Sequence, residues 1–121
     1  MKRKFFELAK KLSAKSNHPK HQLGCVIVDK NRIVSVGFNK IKTHTKSTHA
    51  FQMLHAELDA IIGVDKEELR GCTAYLYRNT KNGNLAISKP CLACEMALKE
   101  AGVKTVHYTV DGGYETLSLK E

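Results

Sequence analysis

The sequence lacks the features that would place it in several large structural classes. No apolar run approaches the ~20 residues that a membrane-spanning helix needs, and no internal repeat or low-complexity tract interrupts the 121 residues. These absences argue against a membrane protein, a repeat protein and a disordered chain. Tryptophan is absent as well, which leaves few aromatic side chains for stacking on nucleobases. We therefore expect one soluble domain over residues 1–121, located in the cytoplasm.

The chain begins with a basic segment, MKRKFFELAKKL. Glu7 and the lysines interrupt any apolar stretch, so the segment does not have the composition of a secretory signal. Phe5, Leu8, Ala9 and Leu12 recur at helical spacing, which predicts an amphipathic first helix. Without a secretory signal, disulfides are the less expected use of the four cysteines.

Positive charge is the main compositional bias. The formal net charge is +8, and lysine and arginine concentrate in residues 2–20 and again at Lys40, Lys42 and Lys46. One interpretation is a solvated surface that aids solubility. The other is attraction to the phosphates of a nucleotide or a nucleic acid. Charge alone does not separate the two.

Hydrophobic periodicity and turn residues predict the element order α-β-β-α-β-α-β-β. After the first helix, the predicted elements are strands over 25–29 and 32–38, a helix over about 50–64, a strand over 72–78, a helix from Pro90 to Gly102, and strands over about 104–110 and 114–119. In the second helix, Leu54, Leu58, Ile61 and Ile62 recur at helical spacing. The fold class is α/β: a three-layer α/β/α domain with a mixed five-stranded sheet.

The last two strands are expected to be antiparallel neighbours. Only Asp111, Gly112 and Gly113 separate them, whereas a parallel return needs a crossover of about a dozen residues. Asp-Gly-Gly also supplies the positive-φ residues that tight hairpin turns need. No helix after the fourth strand can then wall a pocket. Its rim is expected to come from residues 40–49, from residues 78–88 or from a neighbouring subunit.

Two short motifs carry the chemistry. His55 and Glu57, in LHAELDAI, lie at the start of the second predicted helix, and Cys91 and Cys94, in PCLAC, lie at the start of the third. Because each helix follows a strand or its connecting loop, both starts can lie at one edge of the sheet. One histidine and two cysteines form a three-ligand zinc set that leaves a fourth position for water. Glu57 could then move protons for that water.

Each motif has another interpretation when it is taken alone. His-x-Glu occurs by chance in many proteins, and a single C-x2-C also serves as a redox pair or as half of a structural zinc site. A redox pair has no need of a distant His-Ala-Glu, and a structural zinc site usually has four protein ligands. No fourth ligand is evident, because Cys25 and Cys72 are expected as buried strand residues. Together the motifs favour a catalytic zinc site.

His-Ala-Glu followed by PCLAC, on this order of strands and helices, resembles the cytidine deaminase superfamily. The resemblance extends over roughly residues 23–119. It implies that His55, Cys91 and Cys94 bind Zn²⁺ and that Glu57 carries protons. The implied reaction is hydrolytic attack at C4 of a cytosine-type ring, with loss of ammonia.

The resemblance also implies substrate contacts and an assembly. Asn39, in VGFNK, matches the asparagine that holds the sugar, and the backbone N–H of Ala56 would meet the ring carbonyl. Relatives commonly form homo-oligomers. Lys89, in SKPC, replaces the glutamate usual in enzymes that act on tRNA adenosine, which makes adenosine the less expected base.

Two branches of the superfamily share features with this chain. A histidine in the metal triad is typical of the nucleotide branch, whereas a terminal hairpin is typical of the free-nucleoside branch, which usually has cysteine at this position. We therefore expect a zinc-dependent deaminase of a cytosine nucleotide or nucleoside (dCMP, CMP, cytidine or deoxycytidine). Lys40, Lys42 and His44 are candidates to meet a phosphate.

Two other functions stay open at this point. The first is deamination of cytosine in single-stranded DNA or RNA, which the charge of +8 favours and the lack of tryptophan disfavours. The second is a zinc-stabilised binding module without turnover. That module would have no need of Glu57, so the activity of a Glu57 variant separates it from an enzyme.

Overall fold

The computed structural model describes residues 2–16, 22–42, 52–79, 88, 90, 92–110 and 113–119. The elements are α1 (Arg3–Ser13), β1 (Gln22–Asp29), β2 (Arg32–Phe38), β3 (Lys40–Lys42), β4 (Gln52–Leu54), α2 (Ala56–Ile61), α3 (Lys66–Leu69), β5 (Thr73–Asn79), α4 (Leu92–Glu100), β6 (Thr105–Val110) and β7 (Gly113–Ser118). In the described part of the chain, no helix is long and apolar enough to cross a membrane.

Five strands form one mixed sheet in the order β2-β1-β5-β6-β7. The neighbours of β1 are both antiparallel to it, and β5 and β6 are parallel. β6 and β7 are antiparallel, with pairs from Thr105↔Ser118 to Val110↔Gly113. The predicted mixed sheet and its terminal hairpin are therefore confirmed. Asp111 and Gly112, the other predicted turn residues, lie outside the described residues.

The first helix covers one face of the sheet. Its buried side presents Phe5 and Phe6 to Tyr75 of β5, at ring-centroid distances of 5.3 Å and 5.1 Å. Gly24 of β1 allows the helix backbone to approach closely, because a Cβ atom there would lie only 2.1 Å from the carbonyl oxygen of Ala9. The predicted amphipathic helix is thus confirmed, and its apolar side packs on β1 and β5.

The opposite face carries α2 and α4. Alternate residues of the strands point to this side, as period-two alternation requires, and they include Cys25, Ile27, Ala74, Leu76 and Val106. From the helices come Ala56 and Ala60 of α2 and the buried Leu98 of α4. Helices on both faces of one sheet make the three-layer α/β/α arrangement that the sequence predicted.

The segment before α2 corrects the sequence prediction of a helix over about 50–64. Residues 52–54 form β4, which pairs antiparallel with β3 in a separate two-stranded sheet. The helix is limited to Ala56–Ile61, and Ile62, one of the four apolar residues at helical spacing, is its C-cap residue and is 62% exposed. Pairing with β3 satisfies the backbone of residues 52–54, which overrides their local helical periodicity.

Candidate metal centre

The start of α2 carries two of the predicted site residues, His55 and Glu57. His55 is the N-cap residue, with φ −70° and ψ 148°, and its carbonyl accepts the Asp59 N–H at 2.9 Å. Glu57 is the second residue of the helix and is only 4% exposed. A carboxylate suits this position, because the first turn of a helix carries partial positive charge. The two side chains thus project from one fixed turn.

Three contacts hold α2 against the edge strand β2. The Phe38 N–H donates to the Asp59 carboxylate at 3.1 Å, and the Ser35 hydroxyl donates to the Ala60 carbonyl. At Gly37 the strand touches the helix backbone directly, since an added Cβ would lie 2.6 Å from both the Ala56 oxygen and the Ala60 nitrogen. The position of His55 and Glu57 therefore depends on the packing of α2 on β2.

The third side chain comes from α4. Pro90 precedes the helix and is buried, and Cys94 is the third helical residue, with an exposure of 1%. Its sulfur lies 3.4 Å from Nδ1 of His55, across 39 residues of sequence. The starts of α2 and α4 therefore meet on one side of the sheet, as the sequence analysis expected.

The donor atoms of His55, Glu57 and Cys94 lie within 4.8 Å of one another. Imidazole nitrogen and thiolate sulfur are the donors that zinc prefers in proteins. An ion bound tetrahedrally at the usual Zn–N and Zn–S distances would separate those two atoms by about 3.6 Å. The observed 3.4 Å between His55 Nδ1 and Cys94 Sγ matches this separation. The residues present therefore fit a zinc ion.

Cys25 is a neighbour of this group that the sequence analysis treated only as core. It lies in β1 and is fully buried, and it points to the same face of the sheet as α2. Burial raises the pKa of its thiol well above the usual value, and the nearby Glu57, Cys94 and Asp59 raise it further. Cys25 is therefore a neutral thiol next to the site. A strand cysteine gives no sequence signal of such a position.

Comparison with known proteins agrees with this geometry. Residues 1–110 match the family model described as the cytidine and deoxycytidylate deaminase zinc-binding region. The chain belongs to this deaminase family. Zinc is the metal of the family's binding region, and the donor set described above fits it.

One relative by sequence is a probable deoxycytidylate deaminase of Caenorhabditis elegans. It is 33% identical over 118 residues, which cover 87% of this chain and 55% of the relative. The chain thus spans about half the length of that protein.

Two solved structures share the deaminase fold. Cytidine deaminase from Burkholderia pseudomallei is 21% identical, with a TM-score of 0.68 and coverage of 98% of this chain and 93% of the other. The dCMP deaminase of cyanophage S-TIM5, solved in complex with dCMP and dUMP, is 20% identical, with a TM-score of 0.62 and coverage of 88% and 81%.

Asn39, matched by the resemblance to the sugar-binding position of the deaminases, is fully buried at the end of β2. Its side-chain oxygen accepts the Leu23 N–H at 2.8 Å, and its own N–H donates to the Leu23 carbonyl at 3.1 Å. The amide oxygen thus accepts a hydrogen bond from β1 just beyond the end of β2, as a backbone carbonyl of a sheet would. Pairing of Lys40 with Leu54 brings Asn39 into register with His55. The sugar contact itself stays a prediction.

The structure describes only some of the remaining predicted site residues. Ala56 is fully buried as the first residue of α2 and faces Gly37. Lys40 and Lys42 lie at the two ends of β3. Cys91, Lys89 and His44, together with most of the predicted rim at 40–49 and 78–88, lie outside the described residues. Their assigned roles stay predictions.

Proposed function

We propose that this chain, as a single domain over residues 1–121, is a zinc-dependent hydrolytic deaminase of a cytosine nucleotide, with dCMP as the first candidate. The observation that carries the proposal is the meeting of His55, Glu57 and Cys94 within 4.8 Å at two helix starts. Family membership over residues 1–110 supports the same chemistry. The reaction adds water at C4 of the cytosine ring and releases ammonia, which leaves uracil.

His55 and Cys94 would hold the metal, with Cys91 as the third ligand from its place in the PCLAC motif. When bound, zinc acts as a Lewis acid that activates water at neutral pH. The positive end of α4 and the metal both favour the thiolate form of cysteine at this helix start. His55 would contribute an imidazole nitrogen donor from the N-cap of α2.

Glu57 is the proton carrier in this mechanism. It is buried beside the histidine and cysteine donors, where little competing water is present. Its carboxylate takes a proton from the attacking water and delivers it to the departing amino nitrogen. General acid–base groups of this kind contribute roughly 10²–10⁴-fold to a rate. Since Glu57 acts in both attack and departure, we expect the upper part of that range.

Substrate recognition is proposed to involve residues next to this group. The backbone N–H of Ala56 would donate to the ring carbonyl, and the Asn39 amide would contact the sugar. A nucleotide rather than a nucleoside is favoured by the nematode relative, which is named a probable deoxycytidylate deaminase. Lys40 and Lys42 are the candidates to meet the 5′-phosphate. A homo-oligomer is proposed as well, on the resemblance alone.

The test is an ammonia-release assay on the zinc-loaded protein. dCMP, CMP, deoxycytidine and cytidine are supplied separately, and Glu57→Gln is the matched control, because it keeps the side-chain shape and removes the carboxylate. We expect turnover with dCMP, and a loss of about 10³–10⁴-fold in Glu57→Gln with one zinc per chain retained. Turnover of none of the four compounds by zinc-loaded protein would refute the proposal. Loss of zinc from Glu57→Gln would instead make Glu57 a ligand.

A second candidate is deamination of cytosine in single-stranded nucleic acid. The exposed residues in and around α1 favour it, because most of the charged ones are basic: Lys2, Arg3, Lys4, Lys10, Lys11 and Lys15. Within described residues 2–16, Glu7 is the only exposed acidic residue. Phosphate contacts of this kind weaken steeply with salt. A cytosine-containing oligonucleotide in the same assay, with a gel shift at two salt concentrations, separates this candidate from the first.

A further inference from the structure

Ser88 joins two strands of the central sheet through its side chain. The parallel pairing of β5 with β6 reaches Leu76↔Tyr108. One residue further along β6, the Thr109 N–H donates to the Ser88 hydroxyl oxygen at 2.7 Å, and that hydroxyl donates to the Leu76 carbonyl at 3.0 Å. The Ser88 hydroxyl therefore continues the hydrogen bonding between β5 and β6 beyond the Leu76↔Tyr108 pair.

The Thr109 side chain is the second half of this link. Its hydroxyl donates to Ser88 Oγ at 2.8 Å and accepts the Arg78 N–H at 3.3 Å, while the Ser88 N–H donates to the Thr109 carbonyl at 2.9 Å. Ser88 is 2% exposed and Thr109 is fully buried. One donated and two accepted bonds are the full capacity of the Ser88 hydroxyl. Removing either hydroxyl would thus break several buried hydrogen bonds at once.

This link lies where the chain enters α4. Ser88 precedes the buried Pro90 by two residues and Cys94 by six. The C-terminal half of α4 is held separately, by burial of Leu98 in the core. Ser88 therefore fixes the chain at a point six residues before Cys94. His55 reaches Cys94 from α2, which is anchored on β2 and also contacts α4.

We propose that Ser88 and Thr109 are positioning residues for the metal centre, because their hydroxyl link sets the place of Cys94 relative to His55. The inference rests on the proposed function. Groups that orient metal ligands through a direct hydrogen bond typically change metal affinity by about 10–100-fold when they are removed. Ser88 and Thr109 act through the chain that leads into α4, so we expect the lower end, about tenfold.

The test compares variants at both positions. Ser88→Ala removes the central hydroxyl, Thr109→Val removes a hydroxyl at nearly constant shape, and Thr109→Ser keeps the hydroxyl and removes the methyl group. Thr116→Val is the control, because Thr116 lies exposed on the same sheet and loses one hydrogen bond, to His107 Nδ1 at 2.8 Å. Zinc affinity is measured by competition with a chromophoric chelator, and ligand geometry by the absorption bands of the cobalt-substituted protein. Urea unfolding of the metal-free proteins gives stability separately.

We expect Ser88→Ala and Thr109→Val to weaken zinc binding about tenfold and to shift the cobalt bands, while Thr109→Ser and Thr116→Val stay within about twofold of wild type. The double variant Ser88→Ala, Thr109→Val is expected to lose little more zinc affinity than either single variant, since both substitutions break the same link. Unchanged zinc affinity and cobalt bands in Ser88→Ala and Thr109→Val, with stability alone reduced, would overturn the inference. If Ser88→Ala does not fold, the two Thr109 variants decide. Wild-type protein that binds no zinc would overturn the proposed function itself, and this inference with it.

Discussion

Replacement of Gly37 by alanine is expected to damage the metal centre from the far side of α2. An added Cβ would lie 2.6 Å from the Ala56 oxygen and the Ala60 nitrogen, and 3.0 Å from the Ala60 Cα. All three atoms belong to the helix backbone, so no side-chain rotation relieves the overlap. Ordinary contact begins at 3.4 Å, which requires α2 to retreat by about 0.8 Å.

That movement would carry His55 and Glu57 with it, whereas Cys94 stays on α4. A misplacement of about 1 Å can cost around 10²-fold in rate, and overpacking costs roughly 1–3 kcal/mol in stability. We therefore expect Gly37→Ala to lose about 30–100-fold in kcat and about tenfold in zinc affinity, besides its loss of stability. The measurements are steady-state deamination, chelator competition and urea unfolding.

Gly24→Ala is the matched control on the opposite face. Its Cβ would meet the Ala9 oxygen at 2.1 Å and the Ser13 nitrogen at 2.8 Å, so the overlap is larger but displaces α1. We expect an equal or greater loss of stability, with zinc affinity and kcat of the folded protein within about twofold of wild type. The reasoning fails if Gly37→Ala loses stability like Gly24→Ala but keeps its zinc affinity and kcat.

Three further results are expected. Asn39→Ala should lower the free energy of unfolding in urea by about 1–3 kcal/mol, because the bond at 2.8 Å between the buried Asn39 amide oxygen and the half-buried Leu23 N–H is lost. An unchanged midpoint would mean that another group replaces the acceptor. Burial, and to a lesser extent the positive charge of the chain's amino terminus, lowers the pKa of His107 in the folded protein. As pH falls, the unfolded state is therefore protonated at His107 before the folded state, so stability should fall below about pH 6.5. His107→Gln should flatten that part of the pH profile, and an unaltered profile would assign it to other groups. Removal of zinc by a chelator should lower the melting temperature, and added zinc should restore it. Free zinc at a thousandfold excess over its Kd stabilises the folded state by about 4 kcal/mol. A melting temperature that does not change with chelator would contradict a tightly held metal.

The fold followed largely from local signals. The terminal hairpin was predictable because so few residues separate β6 from β7 that only an antiparallel return is sterically open. The two motifs were predicted at helix starts, and the structure has His55 at the N-cap of α2 and Cys94 near the start of α4. Both predictions rest on chain length and turn chemistry, which act within a few residues.

Features that depend on distant partners were not predictable in this way. Residues 52–54 have a helical pattern, but pairing with residues 40–42 makes them a strand. Cys25 has the sequence signature of any core cysteine, although it borders the metal centre. Ser88 lies in the predicted rim segment 78–88, where nothing in the local sequence indicates its link to β5 and β6, since its partners there are 12 and 21 residues away. In each case tertiary contacts decide the outcome.

The small β3–β4 sheet has a consequence for the changes of length that the chain tolerates between residues 42 and 52. Lys42 pairs with Gln52, and Lys40 pairs with Leu54 next to His55, so the two residues that flank positions 43–51 are held beside each other. Lengthening such a connection costs little, about 0.6 kcal/mol for each doubling. Insertions and exchanges between positions 42 and 52 could therefore accumulate over evolution without altering the spacing of Asn39 and His55. A chimaera that transplants this segment alone from a relative should accordingly keep its stability and its zinc affinity.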